Sequence, residues 1–342
     1  MFAPNDCDQL VLHMEKIALI MNGGSRNMVI SDKTVARLKT LGEVVINEGS
    51  TGKEDVIKAI SGATVAITSW GNTGIDAEIL SACPDLKLVC HAAGSVKPIV
   101  TDALWEKGVR VVSSACPLGH GVAETALGFT ISASKNFYNL NASLHNGGWE
   151  EGKDAIGDLF DLTVGVISAG WAGAHYIELL QNFNVDVLLY DPFVSDERAA
   201  ALGCKKASLE ELLRASDIVS IHAPSIPETY HMFNEETIGM MKDDAVLINT
   251  ARGSLIDEQA LYAHMKAGKL KYACLDVTDP EPPAADNPLR TLPNCIMTPH
   301  LAGLANNGLK RIGAFVCDEI ERFLKGEKLV AEVTEDMLAR MA

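Results

Sequence analysis

The sequence predicts an α/β protein built from two doubly wound parallel-sheet domains. Two observations carry this expectation. Short apolar runs alternate with helical stretches along nearly the whole chain, the order that lays parallel strands in a sheet with helices on both faces. Within that alternation Leu162 to Pro192, LTVGVISAGWAGAHYIELLQNFNVDVLLYDP, reads as a complete strand–turn–helix–strand unit. A chain of 342 residues, 47% of them hydrophobic, is long and apolar enough to fill two cores.

In chain order, Lys16–Met21 reads as the first strand, and Ser31 caps the helix that follows. Val44–Ile46, Val65–Thr68, Leu86–Cys90 and Val109–Val112 are further strands, interleaved with helical stretches at Asp55–Ile60, Asp76–Ala82 and Thr101–Lys107. Cys116-Pro117-Leu118-Gly119 breaks the pattern as a hinge. A long helix then runs from Gly121 to about His145, closed by Asn146-Gly147-Gly148. After the Leu162 unit come strands at Asp217–Ile221, Ala245–Asn249, Tyr272–Leu275 and Cys295–Met297, and a helix from about Gly303 to Lys325. The expected division is a first domain of residues 14–117 and 304–342, made discontinuous by the returning tail, and a second of 118–303.

Composition excludes several classes. A net charge of −16 argues against nucleic acid and anionic membrane surfaces. The eight cysteines (Cys7, Cys83, Cys90, Cys116, Cys204, Cys274, Cys295, Cys317) form no C-x-x-C pair and mostly sit in apolar runs. They read as reduced core thiols of a cytoplasmic protein with no metal site. No apolar run reaches transmembrane length. Residues 1–13 lack the basic start of a signal peptide and read as an extension before Met14.

In the Leu162 unit, strand Leu162–Ile167 leads into Ser168-Ala169-Gly170-Trp171-Ala172-Gly173, a helix to about Phe183, and strand Val185–Tyr190 ending at Asp191. This layout places a pyrophosphate on a helix N-terminus and a carboxylate on the adenosine ribose. The turn reads S-x-G-x-x-G where the fingerprint has G-x-G-x-x-G. Gly170, which admits phosphate, and Gly173, which lets helix meet strand, are kept. If position 168 needs positive φ, serine there costs on the order of 1–2 kcal/mol. Asp191 would bond both ribose hydroxyls and repel a 2′-phosphate, and Pro192, Phe193 and Val194 bring no cation, so NAD is favoured over NADP. The alternative is a buried βα turn that binds nothing.

Three later strand ends carry polar groups: Asn249-Thr250-Ala251-Arg252-Gly253, Leu275 to Pro283 with Asp276 and Glu281, and Thr298-Pro299-His300-Leu301-Ala302-Gly303. Ligands bind beyond the carboxyl ends of parallel strands, so these loops are expected to share a crevice with the Gly170 turn. Arginine can fork onto a carboxylate and polarise a neighbouring carbonyl. Histidine can deliver a proton at neutral pH, and an adjacent carboxylate fixes its tautomer and stabilises imidazolium. Together with a nicotinamide, such a set reduces a 2-keto acid or runs the reverse. Taken singly, Arg252 could pair with Asp257 on the surface, Glu281 could be a loop charge, and His300 could cap a helix. His222 stands between a cofactor-side role and a satisfied polar group. His91 and His120 read as structural, and Cys90 and Cys116 as apolar fillers.

From Met14 onward the chain resembles the D-isomer-specific 2-hydroxyacid dehydrogenases, which include glyoxylate/hydroxypyruvate reductases, D-lactate dehydrogenases and phosphoglycerate dehydrogenases. Ile248–Gly253 (INTARG), Asp257-Glu258-Gln259-Ala260-Leu261, Leu275–Pro282, Thr298–Gly303, Asp217–Pro224 and Pro227-Glu228-Thr229 fall in that family's order. The resemblance implies a Rossmann NAD-binding domain plus a flavodoxin-like substrate domain. It implies Arg252, Glu281 and His300 as the catalytic set, Arg252 binding the carboxylate and His300–Glu281 exchanging the proton. Asp276 would contact the nicotinamide amide, and Ala223, Pro224, Thr250 and Ala251 would line the cofactor beside Gly170, Trp171, Ala172, Gly173 and Asp191. A homodimer formed through the long-helix region is also implied. At this length the chain is expected to lack the C-terminal regulatory domain of longer phosphoglycerate dehydrogenases.

The chain departs from the family pattern at three places. Ser168 is one, and Trp171, where many relatives carry a polar residue facing the pyrophosphate, is another. The third is the substrate loop, Ala93-Gly94-Ser95-Val96-Lys97-Pro98-Ile99-Val100, in which Lys97 and Val100 replace the usual Asn/Asp and acid. Gly94 and Ser95 can still present amides. Lys97 either meets a second anionic group on the substrate or points to solvent, and Trp70, Ser95 and Lys97 set the volume that selects the acid. Formate dehydrogenases pair the histidine with glutamine, which Glu281 speaks against. The competing reading is a catalytically weak, NAD-binding regulatory or scaffold protein of the same fold, like the C-terminal-binding corepressors.

Overall fold

The strands follow the expected apolar runs: β1 (Lys16–Leu19), β2 (Glu43–Ile46), β3 (Val65–Thr68), β4 (Leu88–His91), β5 (Arg110–Ser113), β6 (Phe160–Ile167), β7 (Asn184–Tyr190), β8 (Lys205–Lys206), β9 (Ile218–Ile221), β10 (Val246–Asn249), β11 (Tyr272–Leu275), β12 (Cys295–Met297) and β13 (Glu332–Val333). The computed structural model describes residues 15–304 and 306–341. The expected extension over residues 1–13, with Cys7, and the strand start at Met14 lie outside the described residues. The chain divides into two units, one running to Ser114 and resuming over Ile312–Thr334, the other spanning Ala115–Arg311 and resuming at Glu335.

The first unit holds a sheet in the order β13-β5-β4-β3-β1-β2, parallel except for β13, which runs antiparallel on β5. Its β1 to β5 core has the 2-1-3-4-5 winding of flavodoxin-like folds. Ser31, Asp76 and Thr101 each accept a backbone N–H in the first turn of the helices Asp32–Leu41, Ala77–Ala82 and Asp102–Glu106. The fully buried Glu319, on the helix Lys310–Leu324, accepts from the amides of Val330 and Ala331 at 2.9 and 3.1 Å through Oε2. That carboxylate aims the chain into β13.

The second unit holds a sheet in the order β12-β11-β10-β9-β6-β7-β8, the two-winged Rossmann arrangement, with its switch point between β6 and β9. Strands β9, β10 and β11 are buried along their whole length. This is why they read as unbroken apolar runs rather than alternating ones. Burying each of Leu247 and Ile248 contributes roughly 1.5–3 kcal/mol. Two helices in this unit start on side-chain caps: a Ser208–Glu211 capping box and Asp257, which accepts from the amides of Gln259 and Ala260.

Four expectations are corrected. Cys116–Gly119 does not interrupt the secondary structure: it lies in a helix that begins earlier and runs Ala115–Ser134. Pro117 is tolerated there because first-turn N–H groups have no helical partner. The long helix is also interrupted. Asn136 adopts φ 56°, and a second helix spans Phe137–His145. The Asn136 side chain donates to the Gly152 carbonyl at 2.8 Å and accepts from the Tyr272 hydroxyl at 2.7 Å, which pins the break. The helix expected from Gly303 begins only at Lys310. Finally, the unit boundaries fall after Ser114 and Arg311, and residues from Glu335 on group with the second unit rather than the first. Among the described residues no helix is long and apolar enough to cross a membrane.

Candidate functional site

The Ser168–Gly173 turn follows from three local facts in the second unit. Ser168 takes φ 73°, the conformation for which the fingerprint reserves glycine. It is held there by its amide, which donates to the Tyr190 carbonyl at 2.8 Å, and by its hydroxyl, which donates to Asp191 Oδ2 at 3.1 Å. Gly173 must be glycine: a Cβ would overlap the Ser168 carbonyl oxygen and stand 3.2 Å from the His222 Cβ. Gly170 caps the helix Trp171–Leu180, and a Cβ there would meet nothing within 4 Å. The bare backbone of a helix N-terminus therefore faces open space, the arrangement that suits an anionic group.

Asp191 stands at the end of β7 and is buried. Its carboxylate also accepts from the amides of Ala169 at 2.9 Å and Phe193 at 2.8 Å, so it braces the turn. A cavity of about 310 Å³ opens beside it, lined by Asp191, Phe193, Ala223, Pro224, Thr229 and Arg340 among others. A second cavity of about 620 Å³ lies along the helix face and is lined by Gly170, Trp171, His175, Glu178 and Arg198. Trp171 is exposed, and its indole tilts toward the His175 ring at 6.5 Å. Two buried polar atoms, Thr250 Oγ1 and His222 Nδ1, have no hydrogen-bond partner among the described residues. Burial pushes His222 down to about 3, so the ring is neutral, and its Nε2 pairs with Ser220 Oγ at 2.9 Å. A capped turn, an acid at the second strand end, an adjoining cavity and two polar atoms awaiting partners fit a dinucleotide.

The three polar loops meet beyond β10, β11 and β12. Asn249 shapes the first, its Oδ1 accepting from Ala251 N at 3.0 Å and its Nδ2 donating to Arg252 O at 2.8 Å. Gly253 lets that loop touch the next, because a Cβ would overlap the Thr278 carbonyl and lie 2.6 Å from Asp279 N. Arg252 is mostly withdrawn from solvent. Desolvation lowers its pKa from the ordinary arginine value, and the charge of Glu281 opposes that shift. Glu281 Oε1 accepts from Thr278 N at 3.2 Å, and Oε2 lies 2.8 Å from His300 Nδ1. An ionised carboxylate only accepts, so Nδ1 carries the hydrogen and Nε2 turns away from Glu281. His300 holds φ 50°, fixed by its amide donating to Asp276 O at 2.8 Å. The Asp276 side chain, almost wholly buried, accepts from Thr298 Oγ1 at 2.5 Å, Leu301 N at 2.9 Å and Ala302 N at 2.8 Å. Its visible work is to hold the histidine loop.

The structure thus brings Arg252, Glu281 and His300 together, with Asp276 beneath the histidine. It places Asp191, Ala223 and Pro224 on one cavity, Gly170 and Trp171 on the other, and Ala172 and Gly173 in the helix start. Gly94, Ser95, Lys97 and Trp70 belong to the first unit. There Lys97 is exposed, the Gly94 carbonyl accepts from Ser113 Oγ, and the Trp70 carbonyl accepts from Asn22 Nδ2 at 2.6 Å. His91 is buried on Thr68 Oγ1 at 2.8 Å, and burial lowers it to about 4. His120 stacks on His175 with ring centroids 3.7 Å apart.

Four participating residues escape the sequence reading. Glu258 accepts from Asp279 N at 2.9 Å and Asn287 Nδ2 at 2.7 Å, so it steadies the loop that carries Glu281. Its place in the Asp257–Leu261 motif was the available signal. Asn249 closes a buried apolar strand, and only its hydrogen bonds to Ala251 and Arg252 reveal that it shapes the Arg252 loop. Ala339 and Arg340 reach the Asp191 cavity from far along the chain, and no local pattern announces them.

Residues 127–302 match the family model described as D-isomer specific 2-hydroxyacid dehydrogenase, NAD binding domain. The chain is 34% identical over 299 residues to a D-3-phosphoglycerate dehydrogenase of Methanocaldococcus jannaschii, covering 87% of this chain and 56% of that protein. It is 30% identical over 297 residues to a hydroxypyruvate reductase of Blautia hydrogenotrophica, covering 84% of this chain and 91% of that one. A solved D-2-hydroxyisocaproate dehydrogenase superposes with a TM-score of 0.77 at 26% identity, covering 94% of this chain and 100% of that chain. The chain spans just over half the length of the phosphoglycerate dehydrogenase it matches.

Proposed function

Because the chain belongs to the D-isomer-specific 2-hydroxyacid dehydrogenase family, we propose that it moves hydride between NAD and C2 of a 2-hydroxy or 2-keto acid, working mainly as a 2-keto acid reductase. The observation that carries this reading is the 2.8 Å contact between His300 Nδ1 and Glu281, with Arg252 on the adjoining loop. Bound NADH supplies the hydride. Arg252 takes the substrate carboxylate in its fork and polarises the neighbouring carbonyl. As C2 receives hydride, the carbonyl oxygen takes the proton from His300 Nε2, and Glu281 stabilises the charged ring beforehand and holds its tautomer.

The backbone at Gly170, Trp171, Ala172 and Gly173 holds the pyrophosphate, and Asp191 meets the adenosine ribose, which favours NAD over NADP. Ala223, Pro224, Thr250 and Ala251 line the cofactor, and Asp276 reaches the nicotinamide amide while holding the histidine loop. On the first unit we assign Gly94, Ser95, Lys97 and Trp70 to the substrate, with Lys97 favouring a doubly anionic acid. Exposed Phe137, Leu144, Trp149, Ile156 and Phe160 support a homodimer formed through that segment.

The test is NADH oxidation at 340 nm over a panel of 2-keto acids: glyoxylate, hydroxypyruvate, pyruvate, aromatic acids and doubly anionic acids, with NADPH in parallel. Turnover of at least one acid, with NADH preferred, is expected. NADH binding without turnover of any member would contradict the reductase reading.

A further inference from the structure

Residues Glu335–Arg340 follow β13 but group with the dinucleotide unit rather than with the unit that holds β13. Ala339 and Arg340 form part of the wall of the 310 Å³ cavity that holds Asp191, Phe193, Ala223 and Pro224. The guanidinium carbon of Arg340 lies 5.6 Å from the centroid of the Phe193 ring. Its Nη2 donates to Asp336 Oδ2 at 3.1 Å, one turn back along the same segment. A planar cation is therefore held from two directions at the edge of the cavity, with its side chain about half exposed. Among the described residues lining this cavity Arg340 is the only cation, set against Asp191 and Glu228.

These features suit one kind of occupant. A guanidinium is flat, delocalised and weakly hydrated, so it stacks on a π system at little desolvation cost. Phe193 adds an exposed aromatic ring beside it, and Pro224 and Ile226 add apolar surface. We infer that Arg340 is a cofactor-binding residue that packs its guanidinium against the adenine ring, and that Glu335–Arg340 is a working part of the dinucleotide site. The inference rests on the dinucleotide reading of this cavity.

The experiment compares the full chain with Arg340→Ala and with Arg340→Met, which keeps an unbranched stem but removes the charge. Binding of NADH, NADPH, ADP-ribose, AMP and nicotinamide mononucleotide is measured by calorimetry. Both variants are expected to lose about three- to tenfold in affinity for NADH, ADP-ribose and AMP, the size of a partly desolvated cation–π contact. Nicotinamide mononucleotide, which has no adenine, is expected to bind all three proteins alike. Unchanged NADH and AMP affinities in both variants would overturn the inference while leaving the dinucleotide reading intact. A loss confined to NADPH would overturn it in favour of a 2′-phosphate contact. Failure of the unsubstituted chain to bind any adenine nucleotide would overturn it together with the reading on which it rests.

Discussion

Two glycines three residues apart, Gly170 and Gly173, separate cofactor binding from folding. At Gly173 a Cβ would overlap the Ser168 carbonyl oxygen and stand 3.1 Å from its carbon, inside the roughly 3.5 Å of ordinary carbon contact. The Ser168 turn is tied to Tyr190 and Asp191 and cannot move aside freely. Gly173→Ala is therefore an overpacking change costing about 1–3 kcal/mol, which in a domain of this size lowers the melting temperature by roughly 3–10 °C. Gly170 differs. Its φ is −63°, and a Cβ would touch nothing. Gly170→Ala loses only the N-cap advantage of glycine, up to about 1 kcal/mol, or roughly 0–4 °C. The same methyl would block the approach of a phosphate, so NADH affinity is expected to fall about tenfold or more in Gly170→Ala. The assay is far-UV circular dichroism melting paired with NADH titration. Unchanged NADH affinity in Gly170→Ala would refute the assignment of this turn to the pyrophosphate.

Two further outcomes follow from the same geometry. Ser168→Gly relieves the positive φ, whereas Ser168→Ala keeps it, and both lose the hydroxyl bond to Asp191. The glycine variant is expected to be more stable in urea unfolding by about 1–2 kcal/mol, and equal midpoints would contradict a strained turn. The second outcome concerns His91, held near 4, and His222, held near 3, both lowered by burial. Below about pH 6.5 the unfolded chain binds a proton at each site that the folded chain refuses, so stability is present above that pH and drains away as pH falls toward 4. Each site is expected to remove about 2 kcal/mol between pH 7 and pH 5. His91→Gln, compared with the parent in urea unfolding at both pH values, is expected to show a smaller pH-dependent loss, and an identical loss would refute the account.

The sequence displayed what is local. Strand runs such as Val246–Asn249 are written in contiguous residues, and Arg252, Glu281 and His300 each stand in a short motif at a strand end, so periodicity and spacing reveal them. What it hid depends on partners distant in the chain. Asn136 breaks a helix because Tyr272 and Gly152 lie where its side chain can bond them, and nothing near residue 136 announces either. Ser168 was legible as a departure, but its conformation emerges only once Tyr190 and Asp191 are in place. Glu258 and Arg340 act on loops and cavities assembled from separate stretches. Asp276, expected from the resemblance to contact the cofactor, also anchors the His300 loop through three hydrogen bonds.

Arg252 is proposed to serve the substrate and not the cofactor. The most direct measurement is steady-state 2-keto acid reduction by Arg252→Ala beside NADH titration of the same variant. In this variant kcat/KM is expected to fall about 10³-fold or more, as when a buried charged hydrogen-bond partner of a carboxylate is lost, while NADH affinity stays within a few-fold. Normal turnover in that variant would contradict it.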